Sequence, residues 1–483
     1  MPVMLNAMRS PRFQIGSLIL LAAAVYAACG LLAHWHFRSN YDLAIFDQAI
    51  WHMSRFEAPA SSVRGLSNIM GDHFSPILVL LAPLYWLAPA AETLIVAQAC
   101  LFAASILPVS TFLRRRLPDG PALALCAAYA SFWGLQRAAV RDFHEVAFAP
   151  LLIATLILAM DGRRWRVFWV AAAGLALVKE DFLPLLTLMG VYLAARGERR
   201  RGVLLASLSL GLFFVITGVV IPWFNDTGAY AYTGTYRDVL ARPWRIPVAL
   251  VTPGIKVATV FLWLAPFAFL PLRSPITWLL VPFALARFLS SAPAHWGTSF
   301  HYSAPLAPIL AMAAGDGLAR ITLRLKAGPM RTRWTGGLVA ACVVFSLLLP
   351  GRQPLWRLFR ADEYRQSPFL RSGRQALNTI PAGASVVAQT AVAPHLSHRE
   401  SLHRLDADAP DADFIIAASN LSPWPIPTQT ELGNVVRARL GRGYRVIFEE
   451  NGWIVLARRD VSDPTSPAPR SRSDLRRGSP PAA

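Results

Sequence analysis

The chain has 483 residues, of which 54% are hydrophobic and only 16% charged, with a mean hydropathy of +0.41. A soluble domain carries about 25% charged residues, so the composition excludes an ordinary soluble enzyme and points to the membrane. The formal net charge is +19, but the basic residues sit in short clusters between apolar runs, not on one basic domain. That pattern encodes membrane topology and argues against a nucleic-acid partner.

Runs approaching the roughly 20 apolar residues that cross a bilayer predict about eleven membrane helices. They cover 15–33, 94–113, 122–135, 146–160, 167–178, 182–195, 203–221, 255–270, 276–289, 302–318 and 334–349. Residues 1–14 then form a cytoplasmic N-terminus, and 15–350 a polytopic domain with an outer loop at 34–93. The basic clusters Arg114–Arg116, Arg163–Arg166, Arg196–Arg201 and Arg320–Arg333 fall in alternate loops, on the side of the N-terminus. Residues 77–88 are apolar but short and proline-flanked, which suits an interfacial helix. Cys29, Cys100, Cys126 and Cys342 all lie in apolar runs, without disulfide or zinc spacing.

From 351 to 459 the apolar runs shorten to strand length, at 385–388, 414–418, 444–448 and 453–457. The last two read as a hairpin closed by Asn451-Gly452. With a helical patch at 365–378, this predicts a small extracytoplasmic α/β domain. The tail 460–483 is rich in Pro, Ser and Arg and is expected to be disordered. The expected fold is therefore an all-α polytopic membrane domain followed by a small α/β domain.

Ionisable groups near membrane depth are costly and point to function. Four clusters stand out on the expected outer side. The first holds Asp42 and Asp47, about 140° apart on a helix, which gives them different surroundings. The second holds Asp72 and His73. The third holds Asp142, His144 and Glu145, two carboxylates and an imidazole within four residues, suited to a divalent cation or to acid–base work. The fourth holds Lys179, Glu180 and Asp181, where the lysine suits a lipid phosphate. His295 and His301 are possible additions, and the aromatics of 230–236 with Trp223 and Trp244 suit either sugar stacking or an interfacial belt.

The segments Tyr41-Asp42-Leu43, Phe46-Asp47-Gln48-Ala49, Gly71-Asp72-His73-Phe74-Ser75-Pro76, Asp142-Phe143-His144-Glu145 and Val178-Lys179-Glu180-Asp181 together resemble a bacterial membrane family known as domain of unknown function 2079. So do Pro394-His395-Leu396-Ser397-His398-Arg399 and Glu450-Asn451-Gly452-Trp453. That family is similar to the multi-spanning C-type glycosyltransferases, which take sugars from polyprenyl-phosphate carriers on the outer face of the membrane. The resemblance implies a bacterial cytoplasmic-membrane protein with a C-type fold. It implies Asp42 as the base, with Asp142 or Glu145 as the second acid, although Leu43 stands where the C-type pattern has a second, adjacent acid. Lys179 would meet the lipid phosphate, and Asp47, Asp72, His73, His144, Glu180 and Asp181 would bind substrate. Asp42, Asp142 and Glu145 are also the candidate ligands of a divalent cation, the one cofactor in view.

The leading expectation is transfer of a sugar from a polyprenyl-phosphate donor to an envelope acceptor, with membrane lipids as the surroundings. A transporter or lipid flippase predicts charges near the bilayer midplane, and a non-enzymatic envelope scaffold predicts acids that tolerate alanine.

Overall fold

The computed structural model describes residues 10–351 and 353–460. The expected cytoplasmic stretch before residue 10 and the expected disordered tail from 461 lie outside the described residues. The chain divides into two compact units, Met1–Arg365 and Gln366–Ala483. The division falls beyond the change in composition at 351, because residues 353–365 are tied to the first unit. Arg38 pairs with Glu363, and Gln136 bonds Gln353.

The first unit is helical. Its first long helix, Pro11–Trp35, starts where Ser10 Oγ accepts the Phe13 N–H at 3.2 Å and Pro11 takes a position that needs no amide partner. Gly30 lets this helix approach Ile95 and the Ala139 carbonyl; a Cβ there would come within 2.6 Å and 2.7 Å of them. Helices Leu183–Ala195 and Arg199–Val215 cross as closely, with Gly190 and Gly202 at the contact. The helices Ala91–Arg114 and His301–Arg324 are mostly buried within the unit, whereas Leu20, Leu21, Leu204 and Leu208 face outward from Pro11–Trp35 and Arg199–Phe224. Outward leucines on a closed helix suit lipid as the solvent.

The expected count of eleven crossings is corrected. Among the described residues, four helices are long and apolar enough to cross a membrane: Pro11–Trp35, Ala91–Arg114, Arg199–Phe224 and His301–Arg324. A fifth arises if the pair Pro243–Val251 and Ile255–Phe267, bent by 63°, counts as one span. The other apolar runs are real but broken. Ala149–Asp161 and Leu183–Ala195 have 13 residues each, a rise of about 20 Å against roughly 30 Å of hydrocarbon. The expected helix at 122–135 stops at Ala130 and restarts at Trp133. Pro266, Pro271 and Pro275 divide 255–289 into short turns, with Ala268 and Phe269 in the left-handed region. The expected interfacial segment is a short helix, Pro76–Tyr85.

The second unit holds a five-stranded sheet in the order β2-β1-β3-β5-β4. Its strands are β1 Val386–Ala388, β2 Leu402–Arg404, β3 Phe414–Ala418, β4 Tyr444–Glu450 and β5 Trp453–Arg458. β1 pairs in parallel with β2 and β3, and β5 runs antiparallel between β3 and β4. The expected hairpin is present. Asn451 and Gly452 both take positive φ, 47° and 86°, as a two-residue turn of this hand requires. Helix Gln429–Leu440 packs Leu432 and Val436 against Ile415 and Leu456. The sequence reading passed over this helix, although Thr428 and Glu431 carry its signal: the threonine hydroxyl accepts the Glu431 N–H at 3.2 Å.

Candidate functional site

A cavity of about 1270 Å³ opens in the first unit. One end is charged, lined by Asp42, His144, Glu145, Lys179, Arg64 and Asp72. The other is apolar, lined by residues such as Leu188, Val191, Phe213, Phe214, Leu240 and Leu285. Thr217 and Gly218 also line the cavity, from a π-helical turn, Ile216–Val220, inside the Arg199–Phe224 helix. Such turns recur at functional sites.

Asp42 sits in the first turn of helix Tyr41–Ser54, where the helix dipole favours an acid. Its side chain is 35% exposed and its Oδ2 lies 3.4 Å from His144 Nε2. The other ring nitrogen, Nδ1, lies 3.1 Å from the Asp142 carbonyl, which can only accept, so Nδ1 carries a proton and Nε2 is turned to Asp42. Burial opposes a charged imidazole, but the hydrogen bond and charge of Asp42 outweigh it and raise the His144 pKa. His301 packs against His144 with ring centres 3.6 Å apart and the rings tilted by 35°. Asp47, on the other side of the same helix, is buried and bonds the Tyr85 hydroxyl away from the cavity.

Asp142 also points away. Its Oδ1 accepts the Asn40 N–H at 2.6 Å and so holds the residue that starts the Asp42 helix. Burial, then the charge of Asp42, push its carboxyl up to about 7. Glu145 is different. It is buried and lines the cavity, with Oε1 3.1 Å from Lys179 Nζ and Oε2 without a hydrogen-bond partner. Lys179 also reaches Asp181, at 3.7 Å. Burial opposes its charge, but Glu145 foremost holds the ammonium protonated. Asp42, Asp142 and Glu145 do not converge on one point among the described residues.

At the same charged end a second set of residues is paired. Arg64 forks onto Asp72 at 3.0 Å and 3.1 Å, and the Tyr232 hydroxyl donates to Asp72 at 2.9 Å. Burial alone would raise the Asp72 carboxyl, but the charges of His73 and Arg64 bring it down to about 2. His73 stacks on Tyr232, ring centres 4.5 Å apart, and its Nδ1 lies 2.6 Å from Glu180 Oε1. Glu180 is buried behind the wall and also accepts from the Phe74 N–H and the Tyr230 hydroxyl, at 2.9 Å and 3.0 Å. His73 foremost offsets its burial and holds it at about 2.

Tyr230, Tyr232 and Tyr236 line the cavity, as do His295 and His301. Trp223 and Trp244 do not; they are 83% and 73% exposed and fit an interfacial belt. The sequence reading missed Arg287. This arginine is buried, lines the cavity, and donates to the His295 and Gly297 carbonyls at 2.7 Å each and to Ser303 Oγ at 2.8 Å. All these acceptors are neutral, so its charge stays uncompensated by them. Its signal was an arginine inside the apolar run 276–289.

A family model described as "Predicted membrane protein (DUF2079)" matches residues 33–455. Among solved structures, ArnT from Cupriavidus metallidurans bound to undecaprenyl phosphate is similar at a TM-score of 0.53 and 13% identity, covering 92% of this chain and 97% of that one. The same protein in the apo state gives 0.51 and 13%, with 90% and 97% covered. The archaeal oligosaccharyltransferase AglB from Archaeoglobus fulgidus, in complex with an inhibitory peptide and a dolichol-phosphate, gives 0.48 and 13%, with 90% and 69% covered. No curated protein matches the chain in sequence. At this identity the likeness concerns the fold.

Proposed function

The chain belongs to the DUF2079 family of membrane proteins, and from that premise we propose that it transfers a sugar from a polyprenyl-phosphate carrier to an envelope acceptor at the outer face of the membrane. The observation that carries the reading is the cavity itself, which joins a charged end to an apolar corridor. A lipid-linked sugar has that same division, a polar head on an apolar chain. ArnT, which shares the fold, was crystallised with such a lipid phosphate.

In this reading the acceptor oxygen attacks the anomeric carbon, and the bond from that carbon to the phosphate oxygen breaks. Asp42 takes the acceptor proton, and polyprenyl phosphate leaves with the bonding electrons. A half-exposed carboxylate beside His144 suits a base of this kind. Lys179 and Arg287 meet the charge that develops on the leaving phosphate, an arrangement worth several kcal/mol in a water-poor site. Glu145, not Asp142, is the second acid, because Glu145 lines the cavity and its buried Oε2 lacks a donor, whereas Asp142 is spent on the Asn40 amide. Tyr230, Tyr232 and Tyr236 offer the faces on which a sugar ring stacks. In this reading the N-terminus lies inside, the side that the basic clusters favour.

The test is incubation of the purified protein with a panel of radiolabelled polyprenyl-phosphate sugars. Wild type releases polyprenyl phosphate from one of them, and Asp42→Ala does not. Absence of release with every donor, together with substrate flux in proteoliposomes, would overturn the reading in favour of a transporter.

A further inference from the structure

A second, smaller cavity of about 150 Å³ lies at the far ends of helices that carry the site. The Ala149–Asp161 helix leads from Glu145 to Asp161, and Leu183–Ala195 leads from Asp181 to Arg196. With 13 residues in each helix, the two cavities stand roughly 20 Å apart.

Each carboxylate at this second cavity is already shared by two guanidinium groups. Asp161 takes Arg116 and, at 3.5 Å, Arg115. Glu198 takes Arg201 at 2.5 Å and Arg163 at 3.5 Å. Asp316 takes Arg320 at 2.8 Å and Arg116 at 3.4 Å. Arg196 adds a sixth guanidinium, stacked 5.7 Å over the Tyr192 ring, and has no carboxylate partner among the described residues. Four of the six arginines, Arg116, Arg163, Arg196 and Arg320, line the pocket against these three acids, a surplus of one positive charge at its wall, and Arg115 and Arg201 add further positive charge beside Asp161 and Glu198.

Intramolecular pairing therefore does not account for the whole cluster. Arg163 and Arg196 line the cavity yet add little to the network, since the Arg163 side chain is 75% exposed. Like charges gathered round a pocket repel unless an anion enters. Guanidinium forks match phosphate oxygens, and the volume falls below the roughly 300 Å³ at which pockets begin to take whole small molecules. We infer that this pocket binds a phosphate-type anion, carried by an anionic lipid headgroup or free in solution.

The test uses the purified full-length chain in neutral detergent, with phosphatidylglycerol, phosphatidylcholine and inorganic phosphate as probes. Native mass spectrometry reads retained lipid, and thermal melting reads stabilisation. Wild type retains phosphatidylglycerol over phosphatidylcholine, and the Arg163→Gln/Arg196→Gln variant loses that preference by roughly tenfold or more. Arg437→Gln, in the second unit, leaves it unchanged. Stabilisation by inorganic phosphate as well assigns the bare anion; stabilisation by phosphatidylglycerol alone assigns the headgroup. Equal retention of both lipids by wild type, with no response to phosphate, overturns the inference. So does a double variant that behaves as wild type. Should the double variant not fold, the three probes on wild type still decide.

Discussion

The charged end of the large cavity presents two acids in contrasting states. Asp72 is 18% exposed and saturated by Arg64 and Tyr232. Asp42 is 35% exposed and meets one imidazole at 3.4 Å. A carboxylate locked in a bidentate pair has its lone pairs committed, whereas one with a single longer contact can take up a substrate proton. The contrast separates an acid that shapes the wall from an acid free to react. It also separates Glu145, which lines the cavity and keeps an unpartnered oxygen, from Asp142, whose oxygen is spent on the Asn40 amide.

Breaking the reactive side has the largest expected effect. Asp42→Asn lowers polyprenyl-phosphate release by about 10²–10⁴-fold while the protein still elutes as a folded species. An effect under tenfold would place the base elsewhere. Next, Arg287→Gln lowers the rate about 10²-fold, read as a fall in kcat greater than any change in KM, because the charge is needed most as the phosphate leaves. The wall side answers in stability. Asp72→Asn costs about 2 kcal/mol by leaving Arg64 unpaired, and Arg64→Gln/Asp72→Asn together cost less than the sum of the single changes.

Acid sharpens the same contrast. Asp72 and Glu180 are both held at about 2, below ordinary carboxylates, so their contribution is complete above pH 4.5 and is lost as pH falls toward 2. Melting temperature should fall over that window, and Glu180→Gln should remove part of the fall. Smallest of all, Trp223→Leu and Trp244→Leu change release less than about threefold, since both indoles lie off the cavity.

Much of the site was legible because ionisable residues beside apolar runs are rare and therefore conspicuous. Asp42, Asp72, His73, His144, Glu145, Lys179 and Asp181 were all marked in that way, and all line one cavity. The helical angle between Asp42 and Asp47 already separated them, and the structure sends one to the cavity and the other to Tyr85. Arg287 escaped notice because one arginine in an apolar run reads as a snorkelling side chain until its neighbours are known.

Composition and spacing by themselves determined the membrane class, the four charged clusters and the terminal hairpin, because hydropathy, charge placement and turn chemistry are local properties. Only the tertiary structure decided how many apolar runs are long enough to cross, because prolines and breaks shorten a helix without lowering its hydropathy. Only it decided which acid of each cluster lines the cavity. That depends on partners distant in sequence, Lys179 for Glu145 and Asn40 for Asp142, which no local pattern reveals.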